Sequence, residues 1–140
     1  MGKKIDSGII LLTYKGKVLL TMMRDSRQAL LKQGTWSFIC GLKEGNESLE
    51  ESIVREVKGE THITLFGVEF LSSQPYEDRT NYLYHAVLTD DNVNNIERDE
   101  GRSLDFFSVQ ELEKLPLTPS TKLFIEKHRD LLAIKTPILH

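Results

Sequence analysis

The segment with the clearest capacity for chemistry is REVKGETHI, residues 55–63. It places Glu56 and Glu60 four residues apart, with Arg55 before the first and Gly59 before the second. In a helix, residues at this spacing lie about 40° apart around the axis and about 6 Å along it, so the two carboxylates share one face. Mg²⁺ needs only one or two carboxylates together with waters and substrate phosphates. The pattern therefore indicates a cation site, although charged helix faces are more often simply solvated.

A helix is predicted for this segment from its own local signals. Ser48 is followed three residues later by Glu51, which is the capping-box pattern that begins a helix. Apolar residues then recur at every fourth position, at Leu49, Ile53 and Val57. The apolar stripe would face a sheet, which turns much of the helix charge away from the core.

The rest of the chain alternates predicted strands with two further helices. A hairpin with its turn at 15–17, polar loops at 25–35 and 75–81, and helix starts after Ser108 and Thr118 are all indicated. The last helix is expected to continue to about residue 132. The expected strands are 9–14, 18–23, 36–40, 63–71, 82–88 and 102–107. This mixture predicts an α/β fold, with helices packed on the faces of a mixed sheet.

Bulk properties narrow the class of protein. A chain of 140 residues with 39% hydrophobic content fits one domain, expected over residues 1–140. The net charge of −3 does not by itself suggest nucleic-acid or membrane binding. Cys40 is the only cysteine, so no internal disulfide is possible, and the first 17 residues contain no long apolar run. A cytoplasmic protein is therefore expected.

The spacing around the carboxylate helix resembles the box of the Nudix hydrolases, G-x5-E-x7-R-E-U-x-E-E-x-G-U, where U is bulky and apolar. The segments GTWSFICG (34–41) and DEGRSLDFFSVQELEKLPLTP (99–119) are also similar to parts of that family, so the resemblance covers most of the chain. Seven of the nine specified box positions match: Gly41, Glu47, Arg55, Glu56, Val57, Glu60 and Ile63.

The resemblance implies a Nudix-type α/β/α sandwich, a mixed sheet with helices on both faces. It implies Mg²⁺- or Mn²⁺-dependent hydrolysis of a phosphoanhydride bond in a nucleoside diphosphate linked to another group. Carried over by position, Glu56 is a metal ligand and candidate base, Glu60 is a ligand, and Arg55 orients a glutamate. The backbone carbonyl of Cys40 and the side chain of Glu100 complete the implied site, Glu100 as ligand or base.

Two box positions depart from the family pattern. Gly59 stands where the first glutamate of the E-E pair belongs, and His62 replaces the glycine after the helix. We expect His62 to adopt a left-handed conformation, which histidine enters more often than most residues. Gly59 leaves three alternatives: substrate phosphates compensate for a weaker site, Glu47 or Glu51 substitutes, or hydrolysis is lost and a nucleotide-binding or regulatory module remains.

Other site assignments follow from position alone. Gly41 and Glu47 are expected to shape the loop and box, and Arg24 and Arg102 to contact an anionic substrate. Solvation of Arg24 and a salt bridge for Arg102 are the corresponding structural alternatives. The expected partner is a nucleotide-derived small molecule, with no nucleic acid or membrane indicated, and a homodimer is compatible with the sequence.

Overall fold

The computed structural model describes residues 5–23, 34–76, 78–97, 102–130 and 132. Within these residues there are six strands and four helices. The strands are β1 (Ile5–Tyr14), β2 (Lys17–Met23), β3 (Ile39–Leu42), β4 (Glu69–Tyr76), β5 (Arg79–Val87) and β6 (Arg102–Ser108). The helices are α1 (Leu49–Thr61), α2 (Asp90–Asn94), α3 (Val109–Leu112) and α4 (Pro119–Lys127).

The described residues divide into two compact units, and β1 contributes to each. The first unit contains those of Met1–Leu12 and Ile39–Glu97, and the second those of Thr13–Phe38 and Arg98–His140. In the first unit the strand order is β4-β5-β1, and β3 also pairs with β1 in antiparallel fashion. In the second unit the end of β1 pairs with β2, and β2 pairs with β6, both antiparallel. The expectation of one domain over residues 1–140 stays a prediction.

The predicted β1–β2 hairpin is confirmed, and its turn has a simple physical basis. Lys15 and Gly16 have positive φ angles of 50° and 79°, as the two-residue turns that match strand twist require. Beyond the turn, residues 9–12 of β1 and 18–20 of β2 are all buried. Such continuous apolar runs are typical of strands that are covered on both faces.

Helix α1 lies unusually close to β1 and β3, and two glycines make this possible. A Cβ atom on Gly8 would lie 2.7 Å from Ile53 Cδ1, and one on Gly41 would lie 2.6 Å from Glu56 Cγ. Ile53 and Val57 are fully buried on the face that the sequence predicted. The capping box at Ser48 and Glu51 is present, so the predicted helix is confirmed. Gly41 therefore fixes how near Glu56 approaches the strand beneath it.

The predicted strand at 63–71 is wrong in position. Residues 62–68 form no strand, and β4 begins only at Glu69. Ile63 and Leu65 are buried, so their apolar character reflects core packing rather than strand pairing. The loop predicted at 75–81 is also wrong, since β4 and β5 pair as far as Tyr76 and Arg79. Pro75 is tolerated there because β4 is the outer strand of its unit.

Three smaller differences complete the comparison with the sequence predictions. The strand expected at 36–40 is displaced to β3, and Trp36 and Ser37 form isolated bridges instead. Helix α2, capped by Thr89 and Asn92, was not predicted. None of its residues is buried, so its sequence has no apolar periodicity that would indicate a helix. Helix α4 begins at Pro119 as predicted and ends at Lys127; after a turn at His128, residues 129, 130 and 132 are again helical, so the predicted helix is interrupted rather than short. None of the helices in the described part of the chain has the length and apolar character needed to cross a membrane.

Candidate active site on helix α1

Arg55 is the centre of a hydrogen-bond network between α1 and the loop before it. Its Nε and Nη2 atoms donate to the two carboxylate oxygens of Glu47 at 2.8 and 3.1 Å. Its Nη1 donates to Oε2 of Glu56 at 2.9 Å and lies 3.6 Å from a carboxylate oxygen of Glu44. Nη2 also donates to the backbone carbonyl of Leu42 at 3.1 Å. One guanidinium thus ties the carboxylate helix to the end of β3.

The loop between β3 and α1 is folded so that Glu47 meets this arginine. The Glu47 amide donates to the Glu44 carbonyl at 3.1 Å, and the Glu44 amide donates to Glu47 Oε1 at 3.0 Å. Gly45 lies between them with a φ of 58°, a left-handed conformation that glycine adopts without strain. The loop therefore presents both oxygens of Glu47 to the guanidinium fork, the bidentate geometry in which arginine binds carboxylates most strongly.

The charges of this pair are mutually stabilised. Hydrogen bonding to Arg55 is the main cause that lowers the pKa of Glu47, and the Glu44 amide lowers it further. Hydrogen bonding to Glu47 is likewise the main cause that raises the pKa of Arg55. Both oxygens of Glu47 accept hydrogen bonds, and Oε1 of Glu51 accepts the Ser48 amide in the helix cap. Three of the four oxygens of these two carboxylates are thus already engaged by protein donors.

Two of the expected cation ligands, Glu56 and the Cys40 backbone, belong to the region where α1 meets β3. The side chain of Glu56 lies directly against Gly41, which follows Cys40 in β3. Cys40 pairs with Ile9 of β1 and its residue surface is exposed. Glu60 lies one helical turn beyond Glu56, and its Oε1 atom is buried. The structure therefore brings the Cys40–Gly41 backbone next to Glu56, with Glu60 on the same stretch of helix.

The two departures from the box have different structural consequences. A Cβ atom at Gly59 would meet no heavy atom within 4 Å, so the glycine is not required by packing. His62 ends the helix with a φ of 69°, and its amide donates to the Lys58 carbonyl at 3.0 Å. The expected left-handed conformation of His62 is confirmed. Nε2 of His62 lies 3.7 Å from Glu97, so the imidazole points to a partner outside the carboxylate pair.

The residues present fit a cation that shares its coordination with a substrate. Glu56 and Glu60 supply hard carboxylate oxygens, which suit Mg²⁺ or Mn²⁺, and the backbone of β3 at Gly41 lies against Glu56. In the described ranges no group of three His, Cys, Asp or Glu side chains is arranged to hold a metal. Two carboxylates are nevertheless enough for Mg²⁺, which keeps several waters and takes substrate phosphates as ligands.

The remaining predicted site residues fall largely outside the described residues. Arg24 and Glu100 both lie there. The backbone of Arg102 begins β6 opposite Met23, but its side chain is among those that the structure does not describe.

Sequence reasoning missed two members of the network, the Leu42 carbonyl and Glu44. The acidic pair Glu44 and Glu47 immediately after the box glycine was a usable signal for the second. Nothing in a sequence indicates which backbone carbonyl an arginine will reach.

Comparison with known proteins agrees with this arrangement. The family model of the NUDIX domain matches residues 2–128. NAD-capped RNA hydrolase NudC of Pseudomonas entomophila (strain L48) is 31% identical over 112 residues, which is 79% of this chain and 38% of that protein. The same enzyme of Pseudomonas fluorescens (strain Pf0-1) is 27% identical over 121 residues, 85% of this chain and 42% of that protein. This chain thus spans about two fifths of the length of these relatives.

Solved structures show the fold. A MutT NUDIX hydrolase from Burkholderia pseudomallei superposes with a TM-score of 0.74 at 19% identity, over 91% of this chain and 99% of that one. The NUDIX domain of Shewanella oneidensis NrtR, complexed with ADP ribose, gives 0.71 at 17% identity, over 94% and 90%. The predicted Nudix-type α/β fold, a mixed sheet with helices, is confirmed by these neighbours.

Proposed function

This chain belongs to the Nudix hydrolase family, and we propose that it hydrolyses a phosphoanhydride bond in a nucleoside diphosphate linked to another group. The observation that carries the proposal is the Arg55 network. It holds Glu56 by a 2.9 Å hydrogen bond from one side while Gly41 supports it from the other. A carboxylate fixed in this way is prepared for a positioned role rather than for simple solvation.

The proposed cofactor is Mg²⁺ or Mn²⁺, held by Glu56, Glu60, the Cys40 carbonyl and Glu100. When bound, such a cation neutralises charge on the phosphates and lowers the pKa of a coordinated water. Since Oε2 of Glu56 accepts from Arg55, we assign its Oε1 atom to the cation. Metal dependence is part of the proposal, and the donor set described above supports it.

The chain's own residues would supply the remaining chemistry. Glu56 or Glu100 would accept the proton of the attacking water, which requires a carboxylate within hydrogen-bond reach. Arg55 would act as a positioning residue, because its four hydrogen bonds keep Glu56 in one orientation. Arg24 and Arg102 would contact the substrate phosphates. Gly41 and Glu47 would hold the loop and helix in register.

The substrates to test first come from the relatives. Two relatives are named for NAD-capped RNA, and one structural neighbour is bound to ADP ribose. Both ligands contain a diphosphate that joins an adenosine to a second group. We therefore expect the substrate to be a dinucleotide-like molecule of this class, and a cytoplasmic location remains part of the prediction.

A second candidate function is a catalytically impaired, nucleotide-binding or regulatory module. The observation that favours it is Gly59, which removes a carboxylate from the cation site without any packing reason. This module would bind the nucleotide and leave its phosphoanhydride bond intact.

A substrate panel with a binding readout separates the two functions. ADP-ribose, NADH and NAD-capped RNA would be incubated with the protein and Mg²⁺ or Mn²⁺, and binding of ADP-ribose measured by calorimetry. Hydrolysis that requires the metal and falls by at least about 100-fold in Glu56→Gln supports the proposal. The exposed Glu126→Gln variant on α4 is the control and should retain activity. Binding without turnover would favour the nucleotide-binding module. The absence of both binding and turnover would overturn both proposed functions.

A further inference from the structure

A second surface of α1 carries an apolar groove whose apolar residues the hydrolysis proposal does not use, although Arg55 of the candidate active site also lines it. The groove has a volume of about 740 Å³ and lies between the outer side of α1 and the loop that follows it. Its apolar members come from both segments. They are Val54 from the helix and Leu65, Phe66 and Val68 from the loop. We call these residues, together with Glu50 and Lys58 at the two ends, the α1 groove.

Phe66 is the most exposed feature of this surface. Its relative exposure is 96%, so nearly the whole phenyl ring is in contact with solvent. Phe70, close by in sequence at the start of β4, is 51% exposed and packs edge-on against Tyr84 at 5.5 Å. Scattered apolar residues on a surface need no explanation, but a protruding ring beside an apolar groove is typical of interaction sites.

The charges at the ends of the α1 groove are complementary to each other. Glu50 lies four residues before Val54, and Lys58 lies four residues after it. A second copy of α1 that crosses antiparallel at Val54 would place each Glu50 opposite the Lys58 of the other copy. The dipoles of the two helices would also be antiparallel, which is the favourable arrangement. Self-complementarity of this kind is what an isologous two-fold interface requires.

We propose that the α1 groove is a homodimer interface, in which Phe66 of each copy enters the groove of the other. The groove supplies the apolar pocket, Phe66 supplies the ring that fills it, and the Glu50–Lys58 pairs set the antiparallel orientation. Buried aromatic anchors of this kind contribute most of the binding energy at protein interfaces.

The interface would adjoin the candidate active site at Arg55, which also lines the groove. Val54 and Glu56 are two residues apart, so they lie about 160° apart around the helix axis. Glu56 faces β3, whereas Val54 lines the groove on the other side. Phe66 lines the groove but is not a hydrogen-bond partner of Arg55, so a substitution at Phe66 tests association separately from hydrolysis.

Sedimentation velocity over a range of protein concentrations tests the interface directly. The wild-type chain should show a monomer–dimer equilibrium. Phe66→Asp should weaken association, raising the dimer dissociation constant by at least about tenfold. Leu123→Asp is the matched control, because Leu123 is 43% exposed on α4 and lies outside the groove. Circular dichroism would establish that each variant is folded. A wild-type chain that stays monomeric at every concentration would overturn the proposal and assign the groove to a different partner.

Charge reversal tests the antiparallel orientation. Lys58→Glu and Glu50→Lys should each be monomeric alone, since like charges then meet at both ends. An equimolar mixture of the two variants should form a heterodimer, and the chain with both substitutions should dimerise again. Glu51 is left unchanged because its side chain caps the helix. A dimer that tolerates Phe66→Asp and both single reversals would show a different interface and overturn the proposal.

Discussion

Arg55 and Glu47, eight residues apart, form a bidentate ion pair with N–O distances of 2.8 and 3.1 Å. The pair joins the loop after β3 to the middle of α1. Because the same guanidinium donates to Glu56, the position of that carboxylate depends on an interaction outside the helix. The conformation of the loop is thereby coupled to the geometry of the proposed cation site.

The first prediction concerns this coupling. Arg55→Lys keeps the positive charge but cannot make the planar fork, so Glu56 should lose its fixed orientation. We expect Mn²⁺ affinity, measured by calorimetry, to fall by about 10- to 100-fold, the range for loss of a supporting group around a metal.

The control for this substitution is Arg129→Lys. Arg129 also forms an arginine–glutamate pair, at 2.9 Å from Glu113, but on an exposed surface of the other unit. The Mn²⁺ affinity of the Arg129→Lys variant should match that of the wild-type chain. Equal losses in both variants would contradict a specific role for Arg55.

The second prediction is a pH dependence of stability. The pKa of Glu47 is lowered from 4.5 by its hydrogen bonds to Arg55, so the pair stabilises the fold above that pH. The stabilisation is lost as the pH falls through the lowered pKa of the folded protein. Urea unfolding should therefore show Glu47→Gln less stable than wild type near neutral pH, with the difference shrinking below about pH 4. A difference that grows on acidification would contradict this assignment.

The third prediction concerns Gly41. A Cβ atom there would lie 2.6 Å from Glu56 Cγ and 3.2 Å from the Ser52 carbonyl, so α1 or the Glu56 side chain must shift. Gly41→Ala should lower the free energy of unfolding by about 1–3 kcal/mol, as overpacking does, and weaken Mn²⁺ binding. Chemical denaturation and calorimetry provide the two readouts. Gly67→Ala, where an added Cβ meets nothing within 4 Å, is the matched control and should change neither.

The fourth prediction separates the two consequences of Gly59. Gly59→Ala should raise the free energy of unfolding by about 1 kcal/mol, because glycine is costly inside a helix and nothing blocks the new side chain. Gly59→Glu should in addition tighten Mn²⁺ binding and raise turnover, since it adds a carboxylate beside Glu56 and Glu60. Unchanged Mn²⁺ affinity in Gly59→Glu would show that position 59 does not face the cation.

The fifth prediction concerns the end of α1. His62 has a φ of 69°, which costs an ordinary residue about 1 kcal/mol or more and glycine very little. His62→Gly should therefore raise the thermal midpoint of unfolding, while His62→Ala should not. The exposed pair with Glu97 at 3.7 Å is too weak to reverse this order.

These examples show why part of the site could be predicted from the sequence. Several features of the site are local signals that do not depend on tertiary contacts. They are the helix start at Ser48, the apolar stripe of Ile53 and Val57, and the spacing of Glu56 and Glu60. The left-handed position of His62 follows from the helix ending there. Each of these features depends on residues within two helical turns.

Other features depend on contacts between distant segments. Arg55 reaches the Leu42 carbonyl only because the loop folds back onto the helix, and a sequence does not show which way a backbone carbonyl points. Ile63 and Leu65 resemble a strand in the sequence because they are apolar and buried, yet they form no strand. Burial and strand pairing select the same apolar residues, so composition does not distinguish them.

The central claim is that Glu56 and Glu60 hold a divalent cation together with the phosphates of the substrate. The most direct measurement is anomalous scattering from a crystal soaked with saturating Mn²⁺ and ADP-ribose. We expect one Mn²⁺ peak bonded to both carboxylates and to a phosphate oxygen, near the Cys40 carbonyl. Ordered ADP-ribose with no Mn²⁺ peak at these side chains, or with the peak at other residues, would contradict the account.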